Sequence, residues 1–259
     1  MINQFVRLYQ YRSLILTFAR RDIKIQYAQT FLGILWSVVR PLSGLLIYTV
    51  FFGFILKVDT GNIPYPLFAF SGMICWYAFS NLISQSGRSL IESQNIINKT
   101  YFPKLILPLS KVLVISVDLM VTVLILAAIM LYYHFPFQLN LIVIPLVLLV
   151  NIIVALSLGI WLSALTVRYR DFHHIIPYLV NFGIFVTPIF YPATLIPVKY
   201  HFLLYLNPVA GVVEALRWSL FGGELPSFHY LYGLIMATLF LITGLFYFLK
   251  SESRISDTV

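Results

Sequence analysis

Apolar residues gather into six long stretches, near 31–56, 65–86, 105–133, 141–166, 173–191 and 228–249. Each is long enough to cross a bilayer, which takes roughly 20 predominantly apolar residues as a helix. Backbone groups that leave water must be paired within the segment, so helices are the expected form. The pattern therefore predicts an all-α integral membrane protein with six transmembrane helices. Two of the spans are not uniformly apolar, because the first contains Arg40-Pro41 and the third contains Asp118.

Ahead of the spans, over residues 5–27, the pattern is amphipathic. Leu8, Tyr11, Ile15, Phe18 and Ala19 share one helical face, and Gln10, Ser13, Thr17, Arg20, Arg21 and Lys24 share the opposite one. This predicts a helix lying along the membrane surface, with Asp22 interrupting the apolar side. Residues 14–19 are too short an apolar core for a cleaved leader and run directly into Arg20-Arg21. Between the fifth and sixth spans, Pro188, Pro192, Pro197, Pro208 and Pro226 cut the chain into pieces. The apolar pieces 198–206 and 209–221 are too short to span, which predicts two short re-entrant helices at the outer leaflet. The chain thus reads as one domain, with an interface helix over 1–30, a membrane region over 31–250 and a tail over 251–259.

Composition sharpens this picture. Of 259 residues, 60% are hydrophobic and 10% charged, against about 45–50% and about 25% in soluble domains. A soluble enzyme, a disordered chain and a disulfide scaffold are excluded, and the one cysteine, Cys75, lies in an apolar run. The net charge of +8 would suggest nucleic acid in a soluble protein, but its distribution says otherwise. With the N-terminus inside, 13 of the 17 basic residues fall in cytoplasmic segments. Lys57, Lys199 and Arg217 fall outside, and Arg40 lies within a span. Basic residues mark cytoplasmic loops, so both termini are expected in the cytoplasm, with membrane lipid as the neighbour and no nucleic acid.

No phosphate-cradling G-x-x-x-x-G-K-[ST] or G-x-G-x-x-G motif is present, nor H-E-x-x-H or a Cys/His cluster with zinc spacing. His173-His174 are adjacent and diverge on a helix. No catalytic residue, metal site or cofactor is expected in this chain, and active transport would need a separate polypeptide to hydrolyse nucleotide. Two cytoplasmic loops are candidates for docking it. In 88–104 a short helix is expected, with Ile91, Ile96 and Ile97 able to pack and Glu92, Asn95 and Lys99 at polar rims. In Val167-Arg168-Tyr169-Arg170-Asp171-Phe172, two arginines flank a tyrosine, which suits bidentate pairing and stacking. Ordinary positive-inside basicity accounts for the same residues. Arg40 and Asp118 lie at similar depth, roughly 15 and 20 Å along their spans. They either pair with each other or leave Arg40 to meet a phosphate or sugar. Trp36, Tyr48, Phe182 and Phe185, in the first and fifth spans, suit sugar rings and equally suit interface anchoring or lipid contact.

Arg21-Asp22-Ile23-Lys24, Tyr27, Thr30-Phe31-Leu32-Gly33-Ile34-Leu35-Trp36 and Arg40-Pro41-Leu42 together resemble the opening signature of the polysaccharide-export branch of type-2 ABC transporter permeases. Val167-Arg168-Tyr169-Arg170-Asp171, Thr187-Pro188-Ile189-Phe190-Tyr191-Pro192 and Leu206-Asn207-Pro208 resemble the same family's later loop and outer re-entrant region. Arg40 departs from the pattern around it. The resemblance is nearest to permeases of the bacterial inner membrane that export O-antigen or teichoic-acid-type polymers on a lipid carrier. It implies a homodimer paired with two copies of a separate ATPase subunit that binds ATP and Mg. Glu92, Ile96, Lys99, Arg168, Tyr169, Arg170 and Asp171 would touch that subunit, while Arg20, Arg21, Lys24 and Arg40 would attract the lipid's phosphates. Trp36, Tyr48, Phe182 and Phe185 would line a channel between first and fifth spans. Pro188, Tyr191, Asn207, Pro208, Glu214 and Arg217 would form an outer gate. Capsule, another lipid or a small molecule are alternative cargoes. A polyprenyl-phosphate sugar transferase is a more distant alternative, which would need paired carboxylates where this chain scatters its nine acids.

Overall fold

The computed structural model describes residues 7–28, 33–169 and 171–258, apart from the side chains of His173 and of residues 253–258. Arg170 and part of the 30–36 motif therefore lie outside the described residues. Helix α1 covers Arg12–Tyr27 and α2 covers Trp36–Tyr48, which continues as a π-helical turn over Thr49–Ile55. Helices α3 (Tyr65–Glu92), α4 (Gln94–Ile97), α5 (Ile106–Tyr132) and α6 (Ile144–Arg168) follow. Then come α7 (Phe172–Val186), α8 (His201–Leu206), α9 (Pro208–Phe221) and α10 (Leu231–Thr258). No strand occurs among the described residues.

Among the described residues, five helical segments are long and apolar enough to cross a membrane: Gly33–Ile55, Tyr65–Glu92, Ile106–Tyr132, Leu139–Arg168 and Phe228–Glu252. They are not equivalent. The most apolar stretch of Tyr65–Glu92 is 83% buried against 11% for Gly33–Ile55, which makes α3 the axis and α2 peripheral. Small residues let neighbouring backbones approach α3 closely. Ser71, Ser80 and Ser89 return their hydroxyls to the carbonyls of Phe68, Tyr77 and Ser86 at 2.7, 3.3 and 2.7 Å, so their burial leaves no donor unpaired. Asn151 of α6 donates to the Cys75 carbonyl at 3.0 Å. At Gly159 of α6, an added Cβ would stand 2.8 Å from the Ser86 Cβ.

The expected fifth span over 173–191 is not one continuous helix. The 15 residues of α7 reach about 22 Å at 1.5 Å per residue, short of a roughly 30 Å hydrocarbon layer. The helix stops because Thr187 precedes Pro188 and is extended, with φ −89° and ψ 137°. The chain nevertheless follows α3 antiparallel. Ile176 lies against Gly87, Gly183 against Trp76 and Ile189 against Gly72, and the Tyr65 hydroxyl donates to the Phe190 carbonyl at 3.0 Å. A helix and a short irregular segment together make the sixth passage.

The amphipathic face of α1 is as expected, with Phe18 and Ala19 buried and Tyr11, Leu14 and Ile15 packed on a cluster around Phe102 and Ile106. The helix also runs lengthwise along α5. Phe18 meets Phe102 at 5.4 Å between ring centroids, Asp22 pairs with Lys111 at 2.9 Å, and Gln26 and Tyr27 bond Asp118. Asp22 is thus no flaw in the apolar side, since it neutralises a lysine buried in α5. Two boundaries shift from expectation: helix α3 continues to Glu92 and the tail is helical as far as Thr258, while the short helix expected in the 88–104 loop is Gln94–Ile97.

Gly159→Ala should lower stability by about 1–3 kcal/mol, the usual cost of overpacking a tight core. A fall in melting temperature of the purified protein in detergent measures it, and an unchanged midpoint would mean that α3 and α6 can part without cost.

Candidate functional site

Polar and charged groups concentrate in three places. At the end of α3 marked by Tyr65, the break after α7 strands backbone carbonyls among apolar side chains. Arg217 of α9 answers them. Its Nη1 donates to the Pro188 carbonyl and its Nη2 to the Ile189 carbonyl, both at 2.7 Å. The side chain is buried, stands 3.7 Å over the Phe68 ring and pairs with Glu214 at 3.1 Å. Asn207 caps α9 by accepting from the Val209 N–H at 3.0 Å and donates to the Thr187 hydroxyl at 2.9 Å, while Pro208 opens the helix. Tyr191 donates back to the Phe185 carbonyl at 2.8 Å. The six residues expected at a gate therefore do come together, as a hydrogen-bonded plug around the break. Helix α9 is largely buried, whereas α8 exposes Phe202, Leu203 and Leu206.

The second place is a cavity of about 240 Å³ between α1, α2, α3 and α5, lined among others by Gln26, Tyr27, Trp36, Arg40, Asn81 and Asp118. The pairing of Arg40 with Asp118 is absent among the described residues. Asp118 instead accepts from Gln26 Nε2 at 3.0 Å and from the Tyr27 hydroxyl, and Arg40 stands exposed with the Trp36 ring 5.6 Å away. Burial first, and then the Asp118 carboxylate that accepts its hydrogen bond, hold the Tyr27 hydroxyl well above its ordinary pKa. Tyr27 is therefore a neutral donor.

The third place is the opposite end of α3. Lys111 is buried and bridges Asp22 at 2.9 Å and Glu92 at 3.6 Å, while Arg88 approaches Glu92 at 3.9 Å. Arg21 pairs with Asp22 at 2.7 Å, so of the four candidate phosphate-binding cations Arg20 and Lys24 of α1 and Arg40 of α2 are exposed without an ion pair among the described residues. The backbone N–H of Lys104 donates to Glu252 Oε1 at 2.9 Å, and Lys104 Nζ donates to the Glu252 carbonyl at 2.8 Å. This joins the helical tail to the loop that holds Ile96 and Lys99. Arg168 lies 5.1 Å from the Tyr169 ring, with Tyr169 and Asp171 exposed.

Among the aromatics, Trp36, Phe182 and Phe185 are exposed, but Tyr48 is half-buried and stacks on Phe190 at 3.8 Å, with Phe52 on the same ring at 5.3 Å. Sequence reasoning missed Gln26, Tyr27, Lys111 and Glu252. The signals were two acids, Asp22 on the wrong face of an amphipathic helix and Asp118 within an apolar span.

Among the described residues, five long apolar helices and a sixth, broken passage answered by α9 define a multi-pass helical membrane protein. Residues 13–221 match the family model of the ABC-2 type transporter, and the chain belongs to that family. It is 29% identical over 235 residues to the O-antigen export system permease protein RfbA of Myxococcus xanthus, covering 88% of this chain and 87% of that one. It is 28% identical over 249 residues to the protein of the same name from Klebsiella pneumoniae, covering 94% of each. It is 26% identical over 234 residues to the polysialic acid transport protein KpsM of Escherichia coli, covering 87% of this chain and 89% of that one.

Arg217→Ala should cost about 3 kcal/mol or more, because it leaves the two carbonyls and Glu214 unanswered. Arg217→Lys should recover only part of the loss, since an ammonium cannot fork across two acceptors. Thermal melts of the two variants rank them, and equal midpoints would remove the bidentate role.

Proposed function

We propose that this chain is the permease subunit of an ATP-driven exporter that moves a lipid-linked surface polysaccharide, of O-antigen kind, out of the cytoplasm across the bacterial inner membrane. The observation that carries the reading is similarity along nearly the whole chain to permeases named for O-antigen export and to a polysialic acid transporter. Teichoic acid, capsule, another lipid or a small molecule is the alternative cargo, and the relative named for polysialic acid transport favours a polysaccharide among them. Membership in a transporter family sets aside the sugar transferase.

In this reading two copies of the chain pair with two copies of a separate ATPase, which holds ATP and Mg, and this chain needs no cofactor of its own. Both termini face the cytoplasm, as the positive-inside bias requires. The ATPase docks on Glu92, Ile96 and Lys99 and on Arg168, Tyr169, Arg170 and Asp171. Its stroke reaches α1 and α5 through the buried Lys111, which ties Asp22 to Glu92. Arg20, Arg21, Lys24 and Arg40 draw the carrier's phosphates toward the membrane. The exposed rings of Trp36, Phe182 and Phe185 face a channel formed with the second copy, and Tyr48 flanks it from behind. The Pro188–Arg217 plug with α8 closes its outer end.

Arg170→Ala and Asp171→Ala should leave membrane insertion intact and abolish polymer export by cells that also produce the cognate ATPase, as scored by surface polysaccharide on gels. Export at full rate in both variants would remove the coupling role of that loop. Cysteines at Phe202 or Leu206 of α8 should crosslink two copies under oxidation and block export, whereas one at the buried Val213 should not. No crosslink at either exposed position would place the gate elsewhere.

A further inference from the structure

The cavity between α1, α2, α3 and α5 has a chemistry that neither helix packing nor phosphate attraction accounts for. It lies well along the spans, away from their ends. Asp118 is 12 residues from the start of α5 and Asn81 is 11 from the end of α3, which places them about 18 and 16 Å from the same end at 1.5 Å per residue. Polar side chains at such depth are costly and mark a functional path. The floor and the mouth differ in kind. On the floor, Asp118 accepts one hydrogen bond at each oxygen, from Gln26 and Tyr27. A carboxylate has about four acceptor sites, so about half remain open. At the mouth, Arg40, Trp36 and Asn81 are exposed. Among the described residues the Arg40 guanidinium has no ion pair and the Asn81 amide has no hydrogen bond.

Open acceptors inside, an amide beside them, an indole face and a free cation at the rim match an anionic group joined to a cluster of hydroxyls. We propose that this cavity is a glycosyl-phosphate subsite, in which Arg40 holds the carrier's phosphate and the first sugar donates its hydroxyls to Asp118 beside Asn81. The proposal rests on the export reading above and extends it, because it makes the permease itself recognise the sugar at the lipid end of the chain. Gln26 and Tyr27 act as positioning residues, fixing the carboxylate from α1. The end of α1 is thereby tied to the occupied site.

The test uses the purified full chain in nanodiscs and follows tryptophan fluorescence. Its three probes are farnesyl diphosphate, the glucosyl ester of farnesyl diphosphate, and phosphatidylglycerol. The glucosyl ester should bind about tenfold more tightly than farnesyl diphosphate, the worth of one or two net hydrogen bonds. Asn81→Ala and Asp118→Asn should erase that preference while farnesyl diphosphate still binds, and Arg40→Gln should weaken both diphosphates about equally. Asn81 is exposed, so its variant keeps the test independent of folding. Equal binding of the two diphosphates, or a preference that survives both variants, overturns the sugar subsite alone. Phosphatidylglycerol binding as tightly as either diphosphate puts an ordinary lipid phosphate at Arg40 and also overturns it. If neither diphosphate binds, the subsite and the lipid-linked cargo fall together.

Discussion

The break after α7 is the constraint on which the rest of the molecule depends. A chain that leaves helical geometry at membrane depth must find partners for its freed carbonyls, because hydrocarbon offers none. Arg217 supplies two from one planar group, at 2.7 Å each, and Tyr65 supplies the third at Phe190. To deliver that guanidinium, α9 must be capped, buried against α3 and α6, and anchored by Glu214. Pro188 thus creates the need for a short buried helix, Pro208–Phe221, later in the chain. The same break places Phe190 where Tyr48 and Phe52 can stack on it, which attaches the otherwise peripheral α2.

At the other end of α3 a second economy operates. Lys111 is buried, and one carboxylate from α1 and one from the end of α3 share its charge. Removing a buried cation's partners is expensive, so these three helices move together or break costly contacts. Lys104 and Glu252 tie the C-terminal helix to the adjoining loop in both directions, through side chain and backbone. The ATPase docking proposed for this face would draw on that cross-bracing. Here the bracing comes from four segments distant in sequence.

Much of this was legible beforehand. Five of the six spans, the amphipathic face of α1, two short helices close to the expected 198–206 and 209–221 and the motifs of the family all follow from local periodicity and proline placement. The Arg40–Asp118 pair was a reasonable inference from equal depth, but depth is one coordinate of three. Rotation about the helix axes turns Asp118 toward α1, where Gln26 and Tyr27 reach it first. Tyr48 looked like its neighbours Trp36 and Phe51 in composition, yet it faces Phe190 and they face outward.

The amino-acid sequence by itself determined the solvent, the secondary structure and the family. Those rest on hydrophobic runs, periodicity and local motifs, all properties of neighbouring residues along the chain. Only the tertiary structure decided which charges are answered and by whom: Asp22 by Lys111, the Pro188 and Ile189 carbonyls by Arg217, and Asp118 by α1 rather than by Arg40. The physical reason is that a buried polar group is stable only with a partner at hydrogen-bond distance. Which partner arrives there depends on helix rotation and packing, which no local pattern encodes.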